Sequence, residues 1–233
     1  MSRTAAILLC AGRGERLGHD VPKAMVPLAG RPLFTWALEA LQLAPSVDDV
    51  VVVGDARTLR ELLAASGRAS SKIIAWVEGG AERQHSVARG LAAVPEGCDL
   101  VAVHDGARAL VSVDVIERAV AAAREHGAVL AAVPLADTLK RVEDGVVTAT
   151  PSRDGLWCAQ TPQVFRRDWL AAAHAAAAAV ATDDAALVEA AGHPVRVSAG
   201  DTANFKITTA ADLAAAEALL AARAAATRGD ERS

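Results

Sequence analysis

A mostly parallel α/β sheet covered by helices on both faces is the fold class this sequence predicts, on three observations. Apolar, β-branched runs recur at residues 5–10, 50–53, 73–77, 100–103, 129–133 and 195–197. Helical patterns with recognisable start signals lie between them. A glycine-rich basic loop follows the first run directly. Strands that alternate with helices are joined by crossovers, which bury both faces of a parallel sheet. With 233 residues, 52% of them hydrophobic, the chain suits one domain, placed at 1–227. The polar end, 228–233, is expected to be a disordered tail.

Residues 5–10 read as the first strand. The segment 5–11 could pass for the core of a signal peptide, but it is short, poorly preceded by charge and followed at once by a basic loop. Pro32 suits the first turn of a helix over 32–41, Asp55 caps one over 58–65, and Asp184 opens one over 185–191. The alanine tract 171–181 is too weakly hydrophobic for a membrane span and reads as helix. A helix over 210–225 closes the domain. Between residues 135 and 158 the rhythm changes to short alternating pieces, 138–142 and 146–150, around Glu143-Asp144-Gly145. That is a hairpin with Asp-Gly at its turn. A two-stranded ribbon is marginal alone, so it must pack on something, and a second subunit is the simplest candidate. The alternative is a hairpin folded back on its own domain.

A net charge of −4 and a pI near 5.9 argue against a nucleic-acid or membrane-surface binder, both of which need an extended basic face. Cys10, Cys98 and Cys158 are odd in number, widely spaced and without a C-x-x-C pair. They suggest neither a disulfide framework nor a zinc site, and point to the reducing cytoplasm.

The first loop carries the most chemistry. Gly12, Gly14 and Gly18, with Arg13, Arg16 and Lys23, put bare backbone N–H groups and cations around one small volume after a strand. Such a loop holds a polyphosphate. Its G-x-G-x-x-x-G spacing is one residue too long for the dinucleotide fingerprint, and Lys23 lies behind Pro22 and before Ala24, so it is not a Walker A loop. A flexible surface turn with incidental cations is the plainer alternative.

Five further stretches stand out: Gly79-Gly80-Ala81-Glu82-Arg83-Gln84-His85-Ser86-Val87, Val103-His104-Asp105-Gly106-Ala107-Arg108, Asp137-Thr138-Leu139-Lys140-Arg141, Gln160-Thr161-Pro162-Gln163 and Asn204-Phe205-Lys206-Ile207-Thr208. With the first loop, in this order and at these intervals, they resemble the 2-C-methyl-D-erythritol 4-phosphate cytidylyltransferases of the non-mevalonate isoprenoid pathway. The resemblance covers about residues 5–220. It implies a Rossmann-like nucleotidyltransferase fold with a protruding β-hairpin arm at about 135–158, CTP as substrate, and Mg²⁺ as cofactor. It also implies a homodimer whose arm reaches the neighbouring site. The alternatives are a ribitol-5-phosphate cytidylyltransferase and a nucleotide-binding regulator without catalysis.

In nucleotidyl transfer an oxygen attacks the α-phosphorus of a nucleoside triphosphate and pyrophosphate leaves, so catalysis is mostly positioning and charge neutralisation. A phosphate monoester is largely dianionic at neutral pH and needs no base. By resemblance Arg16 and Lys23 stabilise the α-phosphate, Ala11, Gly12 and Gly14 line its loop, and Gly80, Ala81 and Ser86 read cytosine. Lys206, Arg153, Thr138 and Thr161 match positions that hold the acceptor. Asp105 ends the fourth strand, where ligands of such sheets gather, and could take a sugar hydroxyl or Mg²⁺. Arg83 is a candidate to face the phosphates.

His104 reads as a structural hydrogen bonder, Cys10 as packing, and Asp183-Asp184 as a helix cap with metal binding as the alternative. The chain departs from the family in Ala24, where glutamine is common, in Gly106-Ala107, where two alanines are common, and in Ala109, where proline is common. The cations are intact, and these departures bear on acceptor positioning.

Overall fold

The computed structural model describes residues 2–12 and 22–230, with side chains described to residue 226. The element order begins with β1 (Thr4–Leu9), a 3-10 turn (Lys23–Met25), the short pair β2 (Pro27–Leu28) and β3 (Arg31–Pro32), and helix α1 (Leu33–Leu43). Then come β4 (Asp49–Gly54), α2 (Ala56–Ala65), β5 (Ile73–Glu78), α3 (Arg83–Ala92), β6 (Leu100–Asp105), α4 (Val113–His126) and β7 (Ala128–Pro134). The arm strands β8 (Arg141–Glu143) and β9 (Val146–Ala149) precede β10 (Trp157–Arg166), α5 (Arg167–Ala176), α6 (Asp184–Ala190), β11 (Arg196–Ala199) and α7 (Ala210–Asp230).

Seven strands form one sheet in the order β11-β7-β10-β6-β1-β4-β5. The pairs β1–β4, β1–β6, β4–β5 and β7–β11 are parallel, and β10 runs antiparallel between β6 and β7. All six expected strands are present. The seventh, β10, escapes the run pattern because Pro162 and two glutamines interrupt its apolar residues. Proline lacks the N–H that a central strand must donate. The register with β7 shifts between Ala159 and Gln163, and pairing with β6 starts only at Gln163, so the proline sits where the ladder is already broken.

The strands read as continuous apolar runs because both faces are buried. On one face Ala6, Leu8, Val50, Val52 and Ala102 pack under α1 and α4, through Phe34, Leu41, Ile116 and Val120. On the other, Ala5, Ile7, Val51, Val53 and Val103 pack under α3, α5 and α6, through Val87, Leu170 and Val188. Successive strand residues alternate between the two layers, the period-2 geometry of a pleated strand. A third apolar cluster joins Val26, Leu28, Leu33, Leu110, Ile207 and Ala216, and so ties α7 and the 207 segment to the rim beside β6.

The helix starts follow local chemistry. Asp55 accepts from the Thr58 N–H at 3.0 Å, and Ser112 from the Val115 N–H at 3.3 Å. At α6 the cap is Asp183, which accepts from Ala186 N–H at 2.9 Å, rather than Asp184. The C-terminal helix runs to Asp230 and not to 225, so the tail expected from 228 is helical at 228–230, and residues 231–233 lie outside the described residues.

The arm hairpin is shorter than expected but turns at the expected place. Asp144 (φ 48°) and Gly145 (φ 78°) make a two-residue loop with both φ positive, which matches the strand twist. Every residue from 141 to 159 is exposed, including Val142, Val146, Val147, Leu156 and Trp157. The hairpin therefore stands out from its own domain instead of folding back on it.

Candidate active site

The C-terminal ends of β1, β5 and β6 open onto a cleft of about 820 Å³. Such edges are where parallel sheets bind ligands, because the connecting loops diverge there. Ala11 and Gly12 leave β1 into the cleft, and Lys23 returns to it, with its backbone N–H donating to Gly12 O at 3.1 Å. This bond closes the base of the glycine-rich loop, and Pro22 fixes the approach of the lysine. The expected phosphate ligands Gly14 and Arg16, with Arg13 and Gly18, lie outside the described residues. Among the described residues nothing within 4 Å would meet a Cβ at Gly12, so on that side its backbone is open to a ligand.

Gly80, Ala81, Arg83 and Ser86 form the β5 side of the cleft. A Cβ at Gly80 would lie 2.9 Å from the carbonyl carbon of His85, so only bare backbone fits this turn. The Ser86 hydroxyl accepts from Gly80 N–H at 2.9 Å and donates to Glu82 O at 3.2 Å. Its proton is thus committed, and one lone pair is left to accept from a ligand.

Asp105 ends β6 on the cleft floor. Its Oδ2 pairs with Lys206 Nζ at 2.7 Å, and its Oδ1 meets Arg83 Nε at 3.4 Å. Burial alone would raise its pKa, but the Lys206 ammonium and the Arg83 guanidinium outweigh that and hold the carboxyl well below the usual range. Lys206 reaches this point because its segment is anchored on both sides. Asn204 Nδ2 donates to Gln160 Oε1 at 3.2 Å and to Thr161 O at 2.8 Å, and Ile207 N–H donates to Ala107 O at 2.9 Å. Arg108 completes the lock, donating to Asn204 O at 2.8 Å and Ala159 O at 3.2 Å. Three of the sequence motifs therefore hold one another.

Thr161 lies beneath the cleft and not on its wall. Its Oγ accepts from Asp105 N–H at 3.0 Å and lies 3.0 Å from His104 Nδ1. His104 is fully buried, and its Nε2 lies 3.3 Å from Arg108 O. Burial pushes the imidazole down to about 4, so the neutral ring donates from Nε2 to that carbonyl and accepts at Nδ1 from Thr161. His104 is a structural hydrogen bonder, and Thr161 positions Asp105 in this state. Cys10 is buried, and burial beside Asp105 pushes its thiol far up, which suits packing.

Eight of the expected site residues converge on the cleft: Ala11, Gly12, Lys23, Gly80, Ala81, Ser86, Asp105 and Lys206. Thr138 and Arg153 do not. Both sit on the exposed arm, where Arg153 Nη1 donates to Ala136 O. Thr208 also lines the cleft, and so does Ala24, whose neighbours leave it only 3% exposed. The departure at Gly106 has a steric reason, since a Cβ there would lie 3.0 Å from both Cys10 Sγ and Leu9 O.

The sequence model of the family described as IspD, 2-C-methyl-D-erythritol 4-phosphate cytidylyltransferase, matches residues 4–222. Among curated relatives, the 2-C-methyl-D-erythritol 4-phosphate cytidylyltransferase of Prochlorococcus marinus is 44% identical over 225 residues, which cover 94% of this chain and 98% of that protein. That of Frankia casuarinae is 48% identical over 221 residues, covering 94% of this chain and 82% of that protein. Among solved structures, the enzyme of the same name from Thermus thermophilus superposes with a TM-score of 0.76 at 35% identity, over 94% of this chain and 98% of that one. The 4-diphosphocytidyl-2C-methyl-D-erythritol synthase of Anaerococcus prevotii gives 0.80 at 29% identity, over 94% and 98%. The nucleotidyltransferase fold, the cleft at the strand ends and this similarity along nearly the whole length agree: the chain belongs to the 2-C-methyl-D-erythritol 4-phosphate cytidylyltransferase family.

Proposed function

We propose that this cleft is where CTP and 2-C-methyl-D-erythritol 4-phosphate are joined. As a member of its family, the protein is a nucleotidyltransferase that forms 4-CDP-2-C-methyl-D-erythritol and pyrophosphate in isoprenoid precursor synthesis. A phosphate oxygen of the acceptor attacks the α-phosphorus of CTP, and the bond from that phosphorus to the oxygen bridging the β-phosphate breaks. The acceptor is already ionised, so the obstacle is repulsion between two anions. Lys23, Arg83 and Lys206 all line the cleft and answer it there, with Arg16 of the first loop as a further cation. The observation that carries this reading is the convergence of Lys23 and Lys206 with the bare backbone of Gly12 and Gly80.

Ser86 supports cytosine. Its one remaining lone pair can accept from the 4-amino group of cytosine but has nothing to receive from the 4-oxo group of uracil. Asp105 fits Mg²⁺ as a single carboxylate, with its Oδ1 only loosely held at 3.4 Å, in the way Mg²⁺ uses one or two carboxylates together with substrate phosphates. Among the described residues no three His, Cys, Asp or Glu side chains form a cage of their own. When bound, Mg²⁺ withdraws charge from the phosphates and favours departure of pyrophosphate.

The protein works as one domain over 1–227 and as a homodimer in the cytoplasm. The exposed apolar arm supports the dimer, and the free thiols of Cys10 and Cys98 fit a reducing compartment. No described helix is long and apolar enough to cross a membrane.

Pyrophosphate release measured for all four nucleoside triphosphates against a panel of polyol phosphates tests the assignment. CTP with 2-C-methyl-D-erythritol 4-phosphate and Mg²⁺ should exceed every other pair. Preference for ribitol 5-phosphate would reject the acceptor, and no release with any pair would leave a nucleotide-binding regulator.

A further inference from the structure

Beside Asp105 the charge network continues into the body of the protein. Arg83, the first residue of α3, bridges two carboxylates: Nη1 donates to Asp184 Oδ2 at 2.6 Å and Nε to Asp105 Oδ1 at 3.4 Å. The other oxygen of Asp184 lies 2.9 Å from His174 Nε2 on α5. The side chains of Asp184 and His174 are 1% and 6% exposed. A buried carboxylate is costly unless it is paired, so this one needs a reason. Helix α6 does not supply it, because Asp183 is the cap and Gln163 Oε1 accepts the Ala185 N–H at 3.1 Å. Both oxygens of Asp184 face Arg83 and His174 instead.

The two bonds of Arg83 are unequal. The contact to Asp184 is a short charge-assisted bond, whereas that to Asp105 is at the limit of hydrogen bonding. Arg83 lines the cleft, and its Nη2 has no hydrogen-bond partner among the described residues. The guanidinium is thus anchored from behind and loosely held in front.

We propose that Asp184 and His174 are positioning residues for nucleotide binding, which hold Arg83 so that its front N–H groups meet an anionic group of CTP in place of Asp105. The proposal rests on the CTP reading above. It assigns Asp184 no contact with substrate, so its effect must pass through Arg83.

A double-mutant cycle tests this, with CTP binding to the full chain measured by isothermal titration calorimetry and native fold checked by circular dichroism. Asp184→Asn should weaken CTP binding roughly tenfold, the scale of one hydrogen bond to a charged group. In an Arg83→Ala background the same substitution should change affinity less than about twofold, because the group it acts through is gone. KM for 2-C-methyl-D-erythritol 4-phosphate should stay within about twofold, which a general loosening of the fold would not allow. An equal loss in both backgrounds, or unchanged CTP affinity in Asp184→Asn, overturns the positioning role. If Asp184→Asn does not fold, His174→Gln takes its place in the cycle, and the same outcomes support or overturn the role. Failure of the unaltered protein to bind CTP would overturn the nucleotide reading itself, and the positioning role with it.

Discussion

Lys206 Nζ lies 2.7 Å from Asp105 Oδ2, so the lysine expected to hold the acceptor is anchored to the strand end expected to meet sugar or metal. The pair keeps a cation inside the cleft before any anion arrives, and preorganised charge of this kind needs little rearrangement during reaction. Lys206→Ala and Lys23→Ala should each lower kcat by roughly 10² to 10³, the usual loss when one preorganised charge-stabilising donor is removed. Both lie outside the main strands, so circular dichroism should stay native. Near wild-type turnover in a folded variant would remove that lysine from the mechanism.

His104 gives a pH signature in stability and none in catalysis. Burial lowers its pKa from 6.5 to about 4, so between these values the unfolded chain binds a proton that the folded protein refuses. Stability contributed by the neutral ring is complete above about pH 6.5 and is lost as pH falls toward 4, a change of roughly 3 kcal/mol for a fully buried group. Thermal melting across pH 7 to 4 should show this decline, and His104→Gln should flatten it. The pH–rate profile should carry no inflection near 6.5 from this residue. A slope unchanged by the substitution would remove His104 as its source.

Gly106 is set by Cys10. An alanine at 106 meets both Cys10 Sγ and Leu9 O at 3.0 Å, and the second is backbone that cannot step aside. Gly106→Ala should therefore destabilise by about 1–3 kcal/mol, as overpacked cores do. Cys10→Ala in the same chain should recover part of the loss, because the thiol is removed while the carbonyl stays. Strict additivity of the two changes in melting temperature would show that the sulfur is not the obstacle.

Both the sheet and the cleft are legible in the sequence where local chemistry decides them. Buried parallel strands must be apolar on both faces, so the runs around Ile7, Val51 and Val103 declare themselves. Strand β10 does not, because Pro162 and Gln163 serve other duties: Gln163 bonds Asp183 and Ala185 N–H and so docks α6. Lys23, Asp105 and Lys206 stand in recognisable motifs, and the fold brings all three to one cleft. Thr161 differs from expectation because a motif reveals that a residue matters and not which way it faces. Its hydroxyl serves Asp105 and His104 from below. The Asp184–His174 support of Arg83 leaves no local trace, since its partners come from three different helices.

Arg153 and Lys23 give the sharpest test of a shared site. Arg153 sits on an arm whose residues are exposed from 141 to 159, and no arm residue lines the cleft that holds Lys23 among the described residues. A ribbon this small is marginal alone, and in the proposed two-fold dimer Arg153 would serve the partner's cleft. Lys23→Ala and Arg153→Ala homodimers should each be nearly inactive. Unfolded and refolded together in equal amounts, they should give about half hybrid dimers, and each hybrid holds one site lacking both residues and one intact site. Roughly a quarter of wild-type activity should return, measured as pyrophosphate release. Were Arg153 to act on its own chain's cleft, every site in the mixture would lack one residue. A flat result with hybrid formation confirmed by mass spectrometry would therefore place Arg153 in its own subunit's site, and an active Arg153→Ala homodimer would place it outside catalysis.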